Sequence, residues 1–227
     1  MAPGRCNQTH IPISVISSPK KEAMIANLKK DLENALRIDE KKLAHQIRTT
    51  GFKCRKCAQC CMNEYGDNTV IVFPSQIRKI CTISGLERDD FVIPMPSVDR
   101  DQDGNIHTFE WVLKKNSNCI FLKEKLCEIY ECRPFLCRTY PFFLLDGKLE
   151  VCECMGIGGN IGDRESLEMA RLLKERYVLE IRESMAVFEK FNGFNPSGSG
   201  RICVHDSEGE HWIKKNDSRN YSIHEST

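Results

Sequence analysis

Thirteen cysteines in 227 residues are the side chains best placed to do chemistry. Four of them fall in one eight-residue stretch, Cys54-Arg55-Lys56-Cys57-Ala58-Gln59-Cys60-Cys61. A Cys-x-x-Cys-x-x-Cys run brings three thiolates to one side of a tight loop. Thiolates are soft ligands suited to zinc and to iron–sulfur clusters. Three from one loop leave a fourth corner for a remote residue, as in the first part of a ferredoxin motif. Cys61 follows Cys60 directly, and neighbouring side chains tend to diverge. The two are therefore expected to serve different corners, or to bridge. Arg55 and Lys56 put positive charge beside the thiolates, which favours their ionised form.

The remaining cysteines are more widely spaced. They occur in Cys119-Ile120-Phe121-Leu122, Cys127-Glu128-Ile129-Tyr130, Arg133-Pro134 and Cys137-Arg138-Thr139-Tyr140-Pro141, followed by Cys152 and Cys154. Pro134 and Pro141 hold the chain extended or turned around Cys137. Arg133 and Arg138 either offset the charge of a thiolate-ligated centre or form ordinary ion pairs.

In this order, the segments resemble the YkgJ-type cysteine-cluster family, described as zinc- or iron-chelating. The resemblance covers about residues 50–160 and rests on Cys54, Cys57, Cys60 and Cys61. It continues through Cys119, Phe121 and Leu122; Cys127, Ile129 and Tyr130; Arg133 and Pro134; Cys137, Arg138, Tyr140 and Pro141; and Cys154. It implies a metal centre and little about a reaction. Cys132 departs from the pattern, Cys152 has no firm counterpart, and Cys6 and Cys203 fall in expected tails. Cys81, in an expected helix, reads as a small buried hydrophobe. Eight ligand candidates remain: Cys54, Cys57, Cys60, Cys61, Cys119, Cys127, Cys137 and Cys154. They would make two four-ligand sites, or one site and a reactive pair. The compact triplet favours iron–sulfur over zinc. Metal binding on this scale is folding energy, about 10 kcal/mol for a structural zinc, so metal removal is expected to unfold residues 50–160.

Other motifs carry less. Asp99 to Glu110 matches an EF-hand calcium loop, but Pro94 and Pro96 forbid its entering helix. Asp103-Gly104 signals a hairpin turn before a strand over 106–113, so calcium is not expected. The glycines at 156, 158, 159 and 162 read as a turn letting backbone pass close to a ligated cluster. His10, His45, His107, His205, His211 and His224 read as solvated or structural, and Trp111 and Trp212 as packing residues.

The elements that must position these residues follow from periodicity. Ile25, Leu28, Leu32, Leu36, Leu43 and Ile47 predict a helix over 20–48, ended by Gly51. Residues 69–73 predict a strand and Ser75 caps a short helix to about Ile83, stopped near Gly85. Asp163 opens a long helix with an apolar stripe from Leu167 to Phe188, stopped at Gly193. Residues 1–19 read as a poorly ordered lead-in, and 194–227 as a polar, loosely attached tail. The expected fold is α+β: a small irregular cysteine-rich core with short strands, flanked by an N-terminal and a long C-terminal helix.

A net charge of +1 argues against a nucleic-acid partner bound by bulk charge. Apolar runs such as Phe142–Leu145 fall far short of the about 20 residues that span a bilayer. No apolar signal core opens the sequence, so a cytoplasmic protein is expected. The residues thus predict a metal-binding protein, with an iron–sulfur cluster, in electron transfer or as accessory to a redox or protein-modification enzyme. A zinc-stabilised interaction module is the second reading. Some flagellin lysine methylases resemble the same family, which makes a protein-modifying enzyme the third, although no methyl-donor motif is present.

Overall fold

The computed structural model describes residues 18–191 and 200–214. Helix α1 (Ser18–Leu36) is followed by α2 (Glu40–Thr50), where periodicity predicts one helix. The break is chemical. Asp39 leaves helical space, and its carboxylate accepts the N–H groups of Lys41 and Lys42 at 2.9 and 3.2 Å. It therefore caps a second helix, which an uninterrupted apolar stripe does not reveal. Gly51 ends α2 as expected, at φ 71°.

The predicted strand at 69–73 shortens to β1 (Ile71–Val72). Helix α3 (Pro74–Ser84) has Pro74 in its first turn and Phe73, not Ser75, as N-cap. The Gln76 side chain accepts the Phe73 N–H at 3.3 Å, and Gly85 closes the helix. A single turn, α4 (Arg88–Phe91), leads into β2 (Val92–Pro94). The strand expected over 106–113 divides into β3 (Ile106–Thr108) and β4 (Trp111–Leu113), which join different sheets. Two very short hairpins follow: β5 (Lys115–Asn116) with β6 (Asn118–Cys119), and β7 (Leu122–Lys123) with β8 (Leu126–Cys127). Then come α5 (Phe135–Thr139), the hairpin β9 (Phe142–Leu145) and β10 (Lys148–Val151), and the long α6 (Asp163–Lys190). Gly162 rather than Asp163 is the α6 N-cap, with Glu165 accepting its N–H at 3.1 Å. Gly193 lies outside the described residues, as do residues 1–17 of the predicted lead-in.

The largest correction is at the C-terminal end. Within the segment read as a loose tail, β11 (Arg201–Asp206) and β12 (Gly209–Lys214) form a six-pair antiparallel hairpin. Strand β11 also runs parallel to β3, with Cys203 beside His107. Ile202, Cys203 and Val204 are fully buried. The segment looks polar because β11 follows its apolar residues with His205 and Asp206, which are themselves buried.

Three apolar clusters hold these pieces. One lies beneath the cysteine hairpins, where Val72, Ile80, Phe91, Trp111, Phe121, Ile129 and Val204 meet. The second joins α2 to α6 through Leu43, Ile47, Ala170 and Leu173, with Phe142 and Leu144 of β9 against it. The third sets α1 against the end of α6 around Val187 and Phe188. Each fully buried aliphatic or aromatic side chain contributes about 1.5–3 kcal/mol. Buried Arg176 on α6 donates to Thr139 Oγ1 at 3.0 Å and pairs with Glu180 at 2.7 Å. That fixes α5, and with it Cys137, to the long helix. The fold is α+β with short strands and a cysteine-rich middle, as expected.

Candidate metal centre

The first cysteine loop is shaped by backbone. Lys56 and Ala58 adopt left-handed φ values of 51° and 63°, and Gln59–Cys61 form one 3₁₀ turn. This tight winding removes the expected divergence of Cys60 and Cys61, whose sulfurs lie 3.9 Å apart. Cys119, at the end of the first hairpin, meets the same pair. The Cys61 thiol hydrogen-bonds toward Cys119 and Cys60, which raises its own pKa and lowers both of theirs.

Cys127, at the end of the second hairpin, and Cys137, on α5, complete this side. Burial raises both thiols, and for Cys137 the nearby Cys119, Cys60 and Cys127 raise it further. Arg133 acts in the opposite sense on Cys60, Cys127 and Cys137. Its guanidinium lies 3.6 Å from the Tyr130 ring centre, and Nε donates to the Tyr130 carbonyl at 2.9 Å. Of the two readings for this arginine, charge beside the thiols is the one its surroundings match. Arg138 instead lies over Phe135 at 5.5 Å.

Cys154 approaches from the other flank because three glycines let two backbones touch. The Lys53 N–H donates to the Gly156 carbonyl at 2.9 Å, and the Gly158 N–H to the Gly51 carbonyl at 3.0 Å. A Cβ on Gly156 would lie 2.5 Å from the Lys53 carbonyl oxygen. The glycine turn thus brings its backbone against residues 51–53, directly before the cysteine loop. Burial raises the Cys154 thiol first, and Cys57, Cys60 and Cys54 add to it. All eight candidate cysteines are thus drawn into one connected region, with Cys60 common to both flanks.

Three of these sulfurs share a local motif. Cys119, Cys127 and Cys154 each accept the backbone N–H two residues on, from Phe121, Ile129 and Gly156, the last at 3.4 Å. Such bonds favour a sulfur that carries negative charge. The other cysteines behave differently. Cys132 is buried in the first apolar cluster, Cys81 packs against it, and Cys152 is disulfide-bonded.

The EF-hand pattern is used otherwise. Asp101 accepts the N–H groups of Asp103 and Asn105, the Asn105 side chain at 2.9 Å and the His107 ring at 3.1 Å. It is the organiser of a turn. Trp111 and Trp212 pack as expected, Trp111 donating to Asp206 at 2.8 Å.

Sequence reasoning missed one group. His107, Cys203 and His205 are buried together, with ligand atoms all within 4.8 Å of one another, and they are the one such trio among the described residues. Burial, with His107 beside it, holds His205 down to about 4. The available signal was alternation: Cys203 and His205 are two apart on one strand and so share a face.

Loops carrying thiols with N–H groups aimed at their sulfurs, set on small sheets and a helical scaffold, define a thiolate metal-binding domain. The chain belongs to the CxxCxxCC family, described as "Putative zinc- or iron-chelating domain", whose model matches residues 53–169, more than half of its length. No curated protein and no solved structure was found to match it. Among the described residues, no helix is long and apolar enough to cross a membrane.

Proposed function

We propose that the chain binds iron–sulfur, each cluster held by four thiolates drawn from Cys54, Cys57, Cys60, Cys61, Cys119, Cys127, Cys137 and Cys154. In this reading it acts in electron transfer or as accessory to a redox or protein-modification enzyme in the cytoplasm. The observation that carries the reading is the repeated N–H···S bond at Cys119, Cys127 and Cys154. Hydrogen bonds to sulfur and nearby charge are the protein's levers on a cluster's potential. Arg133 supplies the charge. Four thiolates on one tetrahedral zinc would sit about 3.8 Å apart, from Zn–S bonds of about 2.3 Å. When bound, the cluster would supply one-electron chemistry; the chain's residues hold it, shield it and set its charge environment.

A zinc module is the second reading, favoured by one observation. The Cys60–Cys61 separation of 3.9 Å is that of two thiolates on a single zinc. Anaerobic purification followed by iron, sulfide and zinc analysis separates the two. Iron and sulfide, with an EPR signal after reduction, are expected, and Cys60→Ser and Cys137→Ser should lower both. Stoichiometric zinc without iron overturns the first reading in favour of the second. Metal content unchanged in both variants overturns the ligand set.

A further inference from the structure

We infer that His107, Cys203 and His205 form a separate site for a divalent transition-metal ion of the zinc class, which locks the C-terminal hairpin to the cysteine domain. Two of its three residues lie outside the family match at 53–169, and it does not depend on which metal the cysteine loops hold.

The sheet register builds the trio. His107 on β3 and Cys203 on β11 are Cα partners in a parallel pair, and His205 is two residues further along β11 on the same face. All three are buried. A neutral imidazole and a thiolate are both zinc ligands, and Cys-His₂ is a set that tetrahedral zinc accepts. The fourth ligand would come from water or a nearby carboxylate.

The outer nitrogens carry the second argument. His107 Nε2 faces Asp101 Oδ2 at 3.1 Å, and His205 Nδ1 faces Glu210 Oε1 at 3.8 Å. A carboxylate on the far nitrogen is the usual partner of a metal-bound imidazole, since it fixes the tautomer and raises ligand basicity. With His107 Nε2 donating to Asp101, His107 Nδ1 accepts the His205 Nε2–H at 2.8 Å. A cation entering between them replaces that hydrogen bond with two metal–nitrogen bonds, as the His205 proton moves to Nδ1 on the Glu210 side. Zinc–nitrogen bonds of about 2.0–2.1 Å need the nitrogens about 3.3 Å apart, so the rings open by about 0.5 Å. The ion binds as Cys203 releases its thiol proton to solvent, leaving a centre of +1 against the Asp101 and Glu210 carboxylates. The surrounding rings fix the imidazole planes: Phe109 stacks on His205 at 5.1 Å and Trp212 meets His107 edge-on at 5.7 Å.

The test uses the full-length chain, purified anaerobically and supplied with zinc. X-ray absorption at the zinc edge should show a shell of nitrogen or oxygen with one sulfur. If the cysteine loops also hold zinc, a Cys60→Ser/Cys137→Ser background isolates the signal. His107→Gln and Cys203→Ser should each remove one equivalent of zinc and leave the iron and sulfide content unchanged. An all-sulfur zinc shell in the wild-type protein, or no zinc at all, overturns the proposal. So does full zinc retention in variants that keep the wild-type circular dichroism. Because the absorption readout is on the unmodified protein, a variant that fails to fold does not decide the matter. Loss of iron in the cysteine variants, with the zinc equivalent kept, would separate this site's fate from that of the cluster.

Discussion

At the scale of single residues, Asp101 shows how a side chain can match a motif and serve another end. Burial alone would raise its carboxyl. Hydrogen bonds from Asn105 and His107 and from the backbone N–H groups of Asn105 and Asp103 outweigh that and hold it down to about 2, from 3.8. A lowered carboxyl pKa stabilises the fold above its unfolded value, and that contribution disappears as pH falls through the folded value. Asp101→Ala should therefore cost about 2 kcal/mol near pH 7, the scale of several lost hydrogen bonds to a charged acceptor. Denaturant titrations of both proteins should show this difference shrinking between about pH 4 and pH 2; a difference constant across that range would contradict the assignment. The sequence shows the ligand pattern of the 99–110 loop but not its use, because the outcome depends on His107, whose position β11 fixes from far along the chain. The eight cysteines stand out as candidates because their spacing is local or shared with a family. His107, Cys203 and His205 were not, because no local spacing joins them.

At the scale of elements, the cysteines depend on backbones that approach more closely than side chains permit. Gly156 is the narrowest point: an added methyl would meet the Lys53 carbonyl oxygen at 2.5 Å and the Phe52 ring at 2.9 Å. Gly156→Ala is expected to push Cys154 away from the Cys54–Cys61 loop and to destabilise the protein by about 1–3 kcal/mol. Metal content should fall with it. Gly147→Ala, in a β9–β10 turn with open space around it, is the comparison. Gly147 carries a positive φ of 73°, which Gly156 does not, so the substitution there brings backbone strain without the collision. Equal metal content in the two variants would remove the close approach from the argument. Periodicity found α6 and a single helix where α1 and α2 stand, and cap and stop residues found α3. It missed the Asp39 break, since a capping side chain interrupts a helix without disturbing the stripe. It also missed β11 and β12. Their buried face carries Cys203 and His205, which read as polar until packing explains them.

At the scale of the whole molecule, the three apolar clusters divide the consequences of metal loss. The cluster around Leu43, Ile47, Ala170 and Leu173 draws no member from the eight candidate cysteines, whereas the one beneath the hairpins has Cys119, Cys127 and Cys137 packed against it. The sequence predicts unfolding of all of 50–160 when metal is removed. The structure narrows this. Chelation is expected to strip hydrogen-exchange protection from the loops and hairpins at 54–66 and 115–140. Protection in α2 and α6 should stay within about tenfold of the holo protein. Uniform loss along the chain would show that one metal-dependent unit holds everything, helices included.

The parallel pairing of β3 with β11 also sets a clock. His107 and His205 stand 98 positions apart. At about 5–20 residues per second of synthesis, the earlier strand waits roughly 5–20 s for its neighbour to leave the ribosome. A nascent chain therefore passes through an interval in which one sheet edge is open to mispairing. The thiol loops have already emerged by then, so cofactor delivery can precede closure of that edge.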